Sequence, residues 1–297
     1  MIRRAWGHPW VRHLRLPFNV LLTPLFAWGV WLGGGVEDPV RLAVAYLALH
    51  LFLYGGTNAL NSYYDRDEGP IGGMLRPPPV DRGLLVWAWG VQAAGLPLAL
   101  WVGGPFLAVW LALLVVATAY SHPRWRWKAD PVAAVAAVAF GQGGLGALAG
   151  VAAVVGRDGG WGFVRDLADP TLGVGLVAAA GLITGLYVVS QVYQTAEDRR
   201  RGDRTWPVLL GPAVALRWAL VASGVGGLLL LGLVGRSAGW GAVLTPVLLF
   251  AGIGVAQLRW AATFDEGDTI GNFRRAMWLV SVGGIGLTAY LVWLLGR

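Results

Sequence analysis

Two acidic clusters carry the most chemically capable side chains of this sequence. The first reads Asn58-Ala-Leu-Asn61-Ser-Tyr-Tyr-Asp65-Arg-Asp67-Glu68-Gly69 and runs on to Arg76-Pro77. The second reads Gln191-Val-Tyr193-Gln194-Thr-Ala-Glu197-Asp198-Arg199-Arg200-Arg201-Gly202-Asp203-Arg204-Thr205. On a helix, Asn58, Asn61 and Asp65 fall at i, i+3 and i+7, and Gln194 and Asp198 at i and i+4. Each cluster therefore aims an amide and a carboxylate from one face. Hard oxygen donors from two helices suit Mg²⁺, which binds through one or two carboxylates, keeps several waters and bridges to phosphates. Between the clusters lies Tyr120-Ser-His-Pro-Arg124-Trp-Arg126-Trp-Lys128. Its cations can meet phosphate oxygens, Arg as a fork and Lys as a point charge. Together these residue types could hold a metal-bound diphosphate.

The elements that must position them are membrane helices. The 297 residues are 56% hydrophobic and 13% charged, against about 25% charged in a soluble domain. Apolar runs long enough to cross about 30 Å of hydrocarbon recur along the chain. They are Leu14 to Gly33, Arg41 to Leu60, Gly83 to Val102, Phe106 to Tyr120, Val132 to Val155, Leu172 to Tyr193, Ala213 to Val234, Ala242 to Ala262 and Ile270 to Leu295. Barrel strands would need only about ten alternating residues each, whereas these runs are continuously apolar. The expected fold is an all-α, polytopic transmembrane bundle of about nine helices in a single domain spanning 1–297. The first run lacks a cleavage site and is expected to remain as an anchor.

The net charge of +7 is a topology signal rather than a nucleic-acid footprint. Seventeen basic residues fall on one set of alternating connections, among them Arg3, Arg4, Arg12, Arg15, Arg124 and Arg199. Five fall on the other: Arg41, Arg157, Arg165, Arg236 and Arg297. The positive-inside rule then predicts a cytoplasmic amino terminus, an outer carboxy terminus and both acidic clusters at the cytoplasmic face, in the plasma membrane of a prokaryote. The outer connections are short or Gly-rich, as at Gly156 to Gly162. Trp6, Trp10, Trp87, Trp125, Trp127 and Trp240 near helix ends fit interfacial anchoring. Either acidic cluster alone would read as a solvated loop. Two on one face, with the cationic loop between them, read as a shared site.

Other polar residues read as structure. Gln92, Gln142 and Gln257 lie in apolar helices and predict interhelical hydrogen bonds, while Gly146/Gly150 and Gly181/Gly185 predict close helix packing. The absence of Cys excludes disulfides and thiolate metal sites. His8, His13, His50 and His122 lack metal-ligand spacing.

These stretches resemble the UbiA-type superfamily of intramembrane prenyltransferases over nearly the whole chain. Members of that superfamily have nine transmembrane helices and Asp-rich motifs at the ends of the second and sixth. Asn61-Ser-Tyr-Tyr-Asp65 resembles the first motif, with Arg76-Pro77 placed like its downstream Arg-Pro. Tyr120-Ser with Arg126 and Lys128 is similar to the basic loop after the fourth helix, and Asp198-Arg-Arg-Arg-Gly202-Asp-Arg-Thr205 resembles the end of the second motif. There are departures. Gly69 stands where the first motif ends in Asp, Gln194 where the second begins with one, and Ser190 where an Asn or Tyr precedes.

The resemblance implies Mg²⁺-dependent transfer of a polyprenyl group from its diphosphate to an acceptor, by default an aromatic quinone precursor such as hydroxybenzoate, with other lipid-pathway acceptors open. It implies Asp65 and Asp198 as catalytic metal ligands, assisted by Asp67, Glu68 and Asp203, with Asn61 orienting. It places Lys128, Arg126, Arg76 and Arg204 on the diphosphate, and Asn58, Tyr64, Tyr193 and Gln194 on substrate. Tyr63, Tyr64 and Tyr193 would shield a cation-like allylic carbon. The expected partners are a prenyl diphosphate, a small acceptor and the lipid bilayer, with no nucleic acid and no obligate protein. Gly69 and Gln194 favour a rival, a noncatalytic bundle that binds or transports an isoprenoid lipid.

Overall fold

The computed structural model describes residues 7–155, Phe163 and 166–297. Arg3, Arg4, Trp6, Arg165 and the expected 156–162 connection with Arg157 lie outside the described residues. The architecture is all α. After a short helix α1 (Thr23–Leu32) come eight helices, counted among the described residues, that are long and apolar enough to cross a bilayer. They are α2 (Pro39–Asp65), α3 (Gly83–Val102), α4 (Gly104–Ser121), α5 (Pro131–Val155), α6 (Pro170–Arg201), α7 (Pro212–Ala238), α8 (Trp240–Ala262) and α9 (Thr269–Leu295).

The first expected span differs from the reading of the sequence. Leu14 to Gly33 is not one helix but short pieces at Leu16–Asn19 and Val20–Leu22 followed by α1. Pro17 and Pro24 each sit in a first turn, because proline lacks the N–H that an interior position must donate. Arg15, in a left-handed conformation at φ 50°, ends the preceding helix Pro9–His13. The chain thus enters the bundle at a bend rather than as a straight anchor.

Several other helices begin alike. Asp38, Asp130 and Asp169 each precede a proline at the first helical position, and each carboxylate accepts from a backbone N–H of the opening turn. That is an N-cap followed by the residue least harmed by a missing donor.

Two helices run further than their apolar stretches. α2 continues through Asn58, Asn61 and Asp65, and α6 continues past a tightened turn at Val192–Gln194 through Asp198 to Arg201. Both acidic clusters therefore begin on helix ends, not in loops.

Glycine sets how closely the helices pack. A Cβ on Gly150 would lie 2.2 Å from the Phe26 carbonyl oxygen, and one on Gly185 would lie 2.5 Å from that of Ala219. Backbones meet directly at the α1–α5 and α6–α7 contacts, as small residues permit in membranes. Gly150→Val is accordingly expected to cost about 3 kcal/mol or more by overpacking, read as a fall in thermal unfolding temperature in detergent. Gln92 donates to Thr57 and Gln257 to the Leu216 carbonyl, as interhelical bonds should. Gln142 instead faces a cavity. Large apolar side chains such as Val86, Leu100, Val115, Leu228 and Leu248 point outward, where lipid is their solvent.

Candidate active site

The ends of α2 and α6 and the α4–α5 connection enclose a cavity of about 220 Å³. Asn58, Asn61 and Asp65 line it from one side, as their shared helical face requires. Asn61 donates to Ser121 Oγ at 3.2 Å, tying α2 to the end of α4. Arg66 then turns left-handed at φ 51°, which ends α2 and swings Asp67 back into the cavity wall. There Asp67 meets Arg201 Nη1 at 2.8 Å. Its second oxygen, Oδ2, is enclosed without a hydrogen-bond partner.

From α6 come Tyr187, Gln191, Tyr193, Gln194, Asp198 and Arg201. Thr205 Oγ1 donates to Asp198 Oδ2 at 3.0 Å. Gly202, at φ 77°, closes this helix much as Arg66 closes α2, and the turn returns Asp203 to the cavity. Arg126 Nη2 reaches Asp203 Oδ1 at 2.9 Å. Within the α4–α5 connection, Arg126 adopts φ 40° and so directs Lys128 inward, where its ammonium contacts Asp65. Burial pushes the Lys128 ammonium down to about 8, with Arg201 and Arg15 adding to the shift and Asp203 and Asp198 opposing it.

The cavity thus unites Asn58, Asn61, Asp65, Asp67, Lys128, Tyr193, Gln194, Asp198 and Asp203 of the expected site. Six expected residues do not line it, Tyr63 among them, which packs edge-on against Tyr64. Arg76 is exposed, and its carbonyl accepts from Arg12. Arg204 is exposed, one residue before the inward Thr205. Glu68 is exposed and meets Glu197 only through its backbone N–H. Tyr64 sits about 100° around the helix from Asp65 and packs edge-on against His122. Arg126 stays at the rim, its side chain 43% exposed.

Arg15, Tyr120, Tyr187, Gln191 and Arg201 also line the cavity. In the sequence, Arg15 counts only toward the charge asymmetry between the two faces, and Arg201 only as part of the basic run after Asp198. A local signal for Arg201 does exist, since it follows Glu197 at i+4 and pairs with it as well as with Asp67. Tyr187 accepts from Tyr120 Oη at 3.1 Å and from Gln191 Nε2 at 2.7 Å.

Four carboxylates (Asp65, Asp67, Asp198, Asp203) and three cations (Arg15, Lys128, Arg201) line the space, a formal charge of −1. No cluster of three or more His, Cys, Asp or Glu capable of caging a metal occurs among the described residues. The donor set fits a hard divalent cation that takes one or two carboxylates and fills its remaining positions with water and ligand phosphate. The unpartnered Asp67 Oδ2 is one open donor for it. The far end of the cavity is walled by Leu53, Leu113, Val116, Val138, Ile183 and Leu186.

The sequence profile of the UbiA prenyltransferase family matches residues 22–294. The chain belongs to this family. A digeranylgeranylglyceryl phosphate synthase from Natronomonas pharaonis is 33% identical over 62% of the chain, which in turn spans 62% of that relative's length. A chloroplastic chlorophyll synthase from Oryza sativa is 28% identical over 72% of the chain and 58% of its own length. The UbiA fold itself is shared with a UbiA homolog from Archaeoglobus fulgidus bound to DMAPP and Mg²⁺. Its TM-score is 0.60 at 17% identity, covering 94% of this chain and 99% of the homolog.

Against the UbiA motif pattern, Gly69 has a structural counterpart. A Cβ at Gly69 would lie 2.8 Å from Glu197 Oε2, so a carboxylate from α6 already occupies the space a side chain at 69 would enter. Gly69→Asp is therefore expected to lower the thermal unfolding temperature by like-charge crowding against Glu197, and adding Glu197→Gln should relieve it; equal unfolding temperatures for wild type and Gly69→Asp would refute this. At the other departure, Gln194 Nε2 reaches the Pro70 carbonyl at 3.4 Å, bridging the two motifs by a neutral contact.

Proposed function

We propose that this protein transfers a prenyl group from its diphosphate to an acceptor, in a single domain spanning 1–297. The observation that carries this reading is the cavity of net charge −1, framed by the two motif ends and walled beyond them by apolar side chains. A trianionic diphosphate needs added cations to enter such a space. Its apolar tail needs the wall.

Asp65 and Asp198, with Asp67 and Asp203, are the residues to hold a divalent cation, and the relative bound to DMAPP and Mg²⁺ supports magnesium as that cation. Bound magnesium would neutralise charge building on the leaving diphosphate. Lys128 and Arg201 lie on the same carboxylates and can transfer their contacts to diphosphate oxygens. Asn61, fixed by Ser121, orients the end of α2. As the allylic carbon–oxygen bond breaks, its electron pair leaves with the diphosphate. Tyr120, Tyr187 and Tyr193 line the cavity and are the aromatic rings available to a cationic carbon. The acceptor then forms the new bond and loses a proton. The low-polarity wall excludes water that would otherwise capture the cation.

For the acceptor, the relatives named for making digeranylgeranylglyceryl phosphate and chlorophyll favour a lipid-pathway molecule over a quinone precursor. Asn61, Asp65, Lys128 and Asp198, all on one cavity, weigh against a noncatalytic bundle. Purified protein in nanodiscs, supplied with geranylgeranylglyceryl phosphate or 4-hydroxybenzoate as acceptor, is expected to release diphosphate from geranylgeranyl diphosphate only when Mg²⁺ is present. No release from geranyl, farnesyl or geranylgeranyl diphosphate would end the proposal.

The charged mouth is assigned to the cytoplasmic side on the basic-residue asymmetry. The chain has no Cys, so single cysteines at Arg124 and Arg236 can be labelled from either side. Labelling of position 124 from outside intact cells would reverse the assignment.

A further inference from the structure

Tyr64, which does not line the cavity, belongs to a second surface at the charged end of the bundle. Its ring lies 5.3 Å from that of Tyr63 and 5.4 Å from that of His122, and His122 lies 5.3 Å from Trp125. Four rings thus run in a row from the end of α2 to the α4–α5 connection. The row is not core. Tyr63, Tyr64 and His122 are half-buried, Trp125 is 54% exposed, and Trp127 beside it is 38% exposed. It lies where the apolar spans α2 and α4 end, at Asp65 and Ser121, which is the headgroup level at which amphipathic rings settle.

Two arginines flank the row. Arg66 follows α2, and Arg124 lies between His122 and Trp125. Both are exposed, and neither forms an ion pair with a carboxylate among the described residues. Arg66 also stands at φ 51°, in the position after a helix where glycine is the usual residue because it escapes the steric cost. The dipole of α2 favours a cation at this end, but a cation in the last helical turn would serve it without a left-handed backbone. The Arg66 side chain is therefore placed for a partner outside the chain. The same two segments carry the active-site pair on their inner side. Asp65 immediately precedes Arg66, Lys128 immediately follows Trp127, and Asp65 and Lys128 are in contact. Along the connection, Arg126 turns to Asp203 and Lys128 to Asp65, while Trp125 and Trp127 turn outward.

We propose that the ring row with Arg66 and Arg124 is a docking surface for anionic lipid headgroups, and that lipid held there fixes the α4–α5 connection so that Lys128 meets Asp65. The rings seat at the edge of the hydrocarbon, and each guanidinium fork takes a lipid phosphate. An anionic lipid is favoured over a zwitterionic one because no ammonium of its own competes for that phosphate. Trp125 and Trp127 act in this as positioning residues for Lys128. The docking surface stands apart from the cavity and its diphosphate; only its effect on Lys128 rests on the prenyl-transfer reading.

The probes are phosphatidylglycerol and phosphatidylcholine. In detergent, phosphatidylglycerol should raise the unfolding temperature of wild type, whereas phosphatidylcholine or soluble glycerol phosphate at equal concentration should not. In nanodiscs, phosphatidylglycerol should lower KM for the prenyl diphosphate about fivefold, the worth of one well-placed arginine contact. A negative surface acting by repulsion alone would raise it. Arg66→Asn, whose new residue tolerates the left-handed turn, is combined with Arg124→Gln. This variant should need roughly 10- to 30-fold more phosphatidylglycerol for the same rise in unfolding temperature and keep wild-type turnover in phosphatidylcholine. Arg259→Gln with Arg274→Gln removes two exposed arginines that flank the α8–α9 connection and should leave the lipid response whole. A wild type indifferent to phosphatidylglycerol would overturn the docking surface. So would a response unchanged in Arg66→Asn/Arg124→Gln, or one lost equally in the control pair. If the unfolding temperature responds through Arg66 and Arg124 while KM does not, the surface is upheld and its link to Lys128 is refuted. Should no prenyl diphosphate be turned over in any membrane, the unfolding measurement decides the surface by itself, so its fate and that of the transferase reading are separate.

Discussion

Asp65→Asn is expected to lower kcat for prenyl transfer by about 10³-fold or more, with the protein still folded. Asp65 ends α2 on the face it shares with Asn58 and Asn61, lines the cavity and contacts Lys128. An amide keeps its size and much of its hydrogen bonding but supplies no charge to a metal. Loss of a single preorganised electrostatic contact to a transition state costs about 10²–10³-fold, and loss of a metal ligand adds to that. Turnover against Mg²⁺ concentration is the measurement. A kcat within tenfold of wild type at saturating Mg²⁺ would remove Asp65 from the mechanism.

Lys128→Met should strike activity and stability together. The two side chains are only 12% and 7% exposed, so truncating one leaves the other carrying an uncompensated charge in a low-dielectric space. Breaking a buried pair from one side costs about 3–5 kcal/mol. Asp65→Asn combined with Lys128→Met removes both charges and is expected to regain most of that stability while staying inactive. Thermal unfolding and diphosphate release, measured across the double-mutant cycle, separate the two effects. Additive stability losses in the double variant would show that the pair is not coupled.

Much of the site is legible without the fold. The spacing of Asn58, Asn61 and Asp65 is a local property of one helix. So is that of Gln194 and Asp198, and the structure puts all five on a single cavity. Arg76, Arg204 and Glu68 fall outside it for the converse reason. They sit near the motifs in sequence, but α2 ends at Arg66 and the α6 helix at Gly202, and beyond those left-handed turns helical periodicity no longer says where a side chain points. The first span fails similarly. Hydropathy registers Leu14 to Gly33 as one apolar run but is blind to Pro17 and Pro24, whose missing donors break it into segments.

By itself the sequence determined the membrane bundle, the helices that carry the acids and the carboxylate–cation chemistry, because hydrophobic length and helical period act between near neighbours. Only the tertiary structure decided which charges meet. Asp67 and Arg201 are 134 residues apart, Lys128 and Asp65 are 63 apart, and Arg15 and Ser62 are 47 apart. Contacts at such separations depend on how closely α1, α2, α5 and α6 approach. That approach is set by backbone-to-backbone packing at residues such as Gly150 and Gly185 and by buried amides such as Asn19, none of which carries the site's charge.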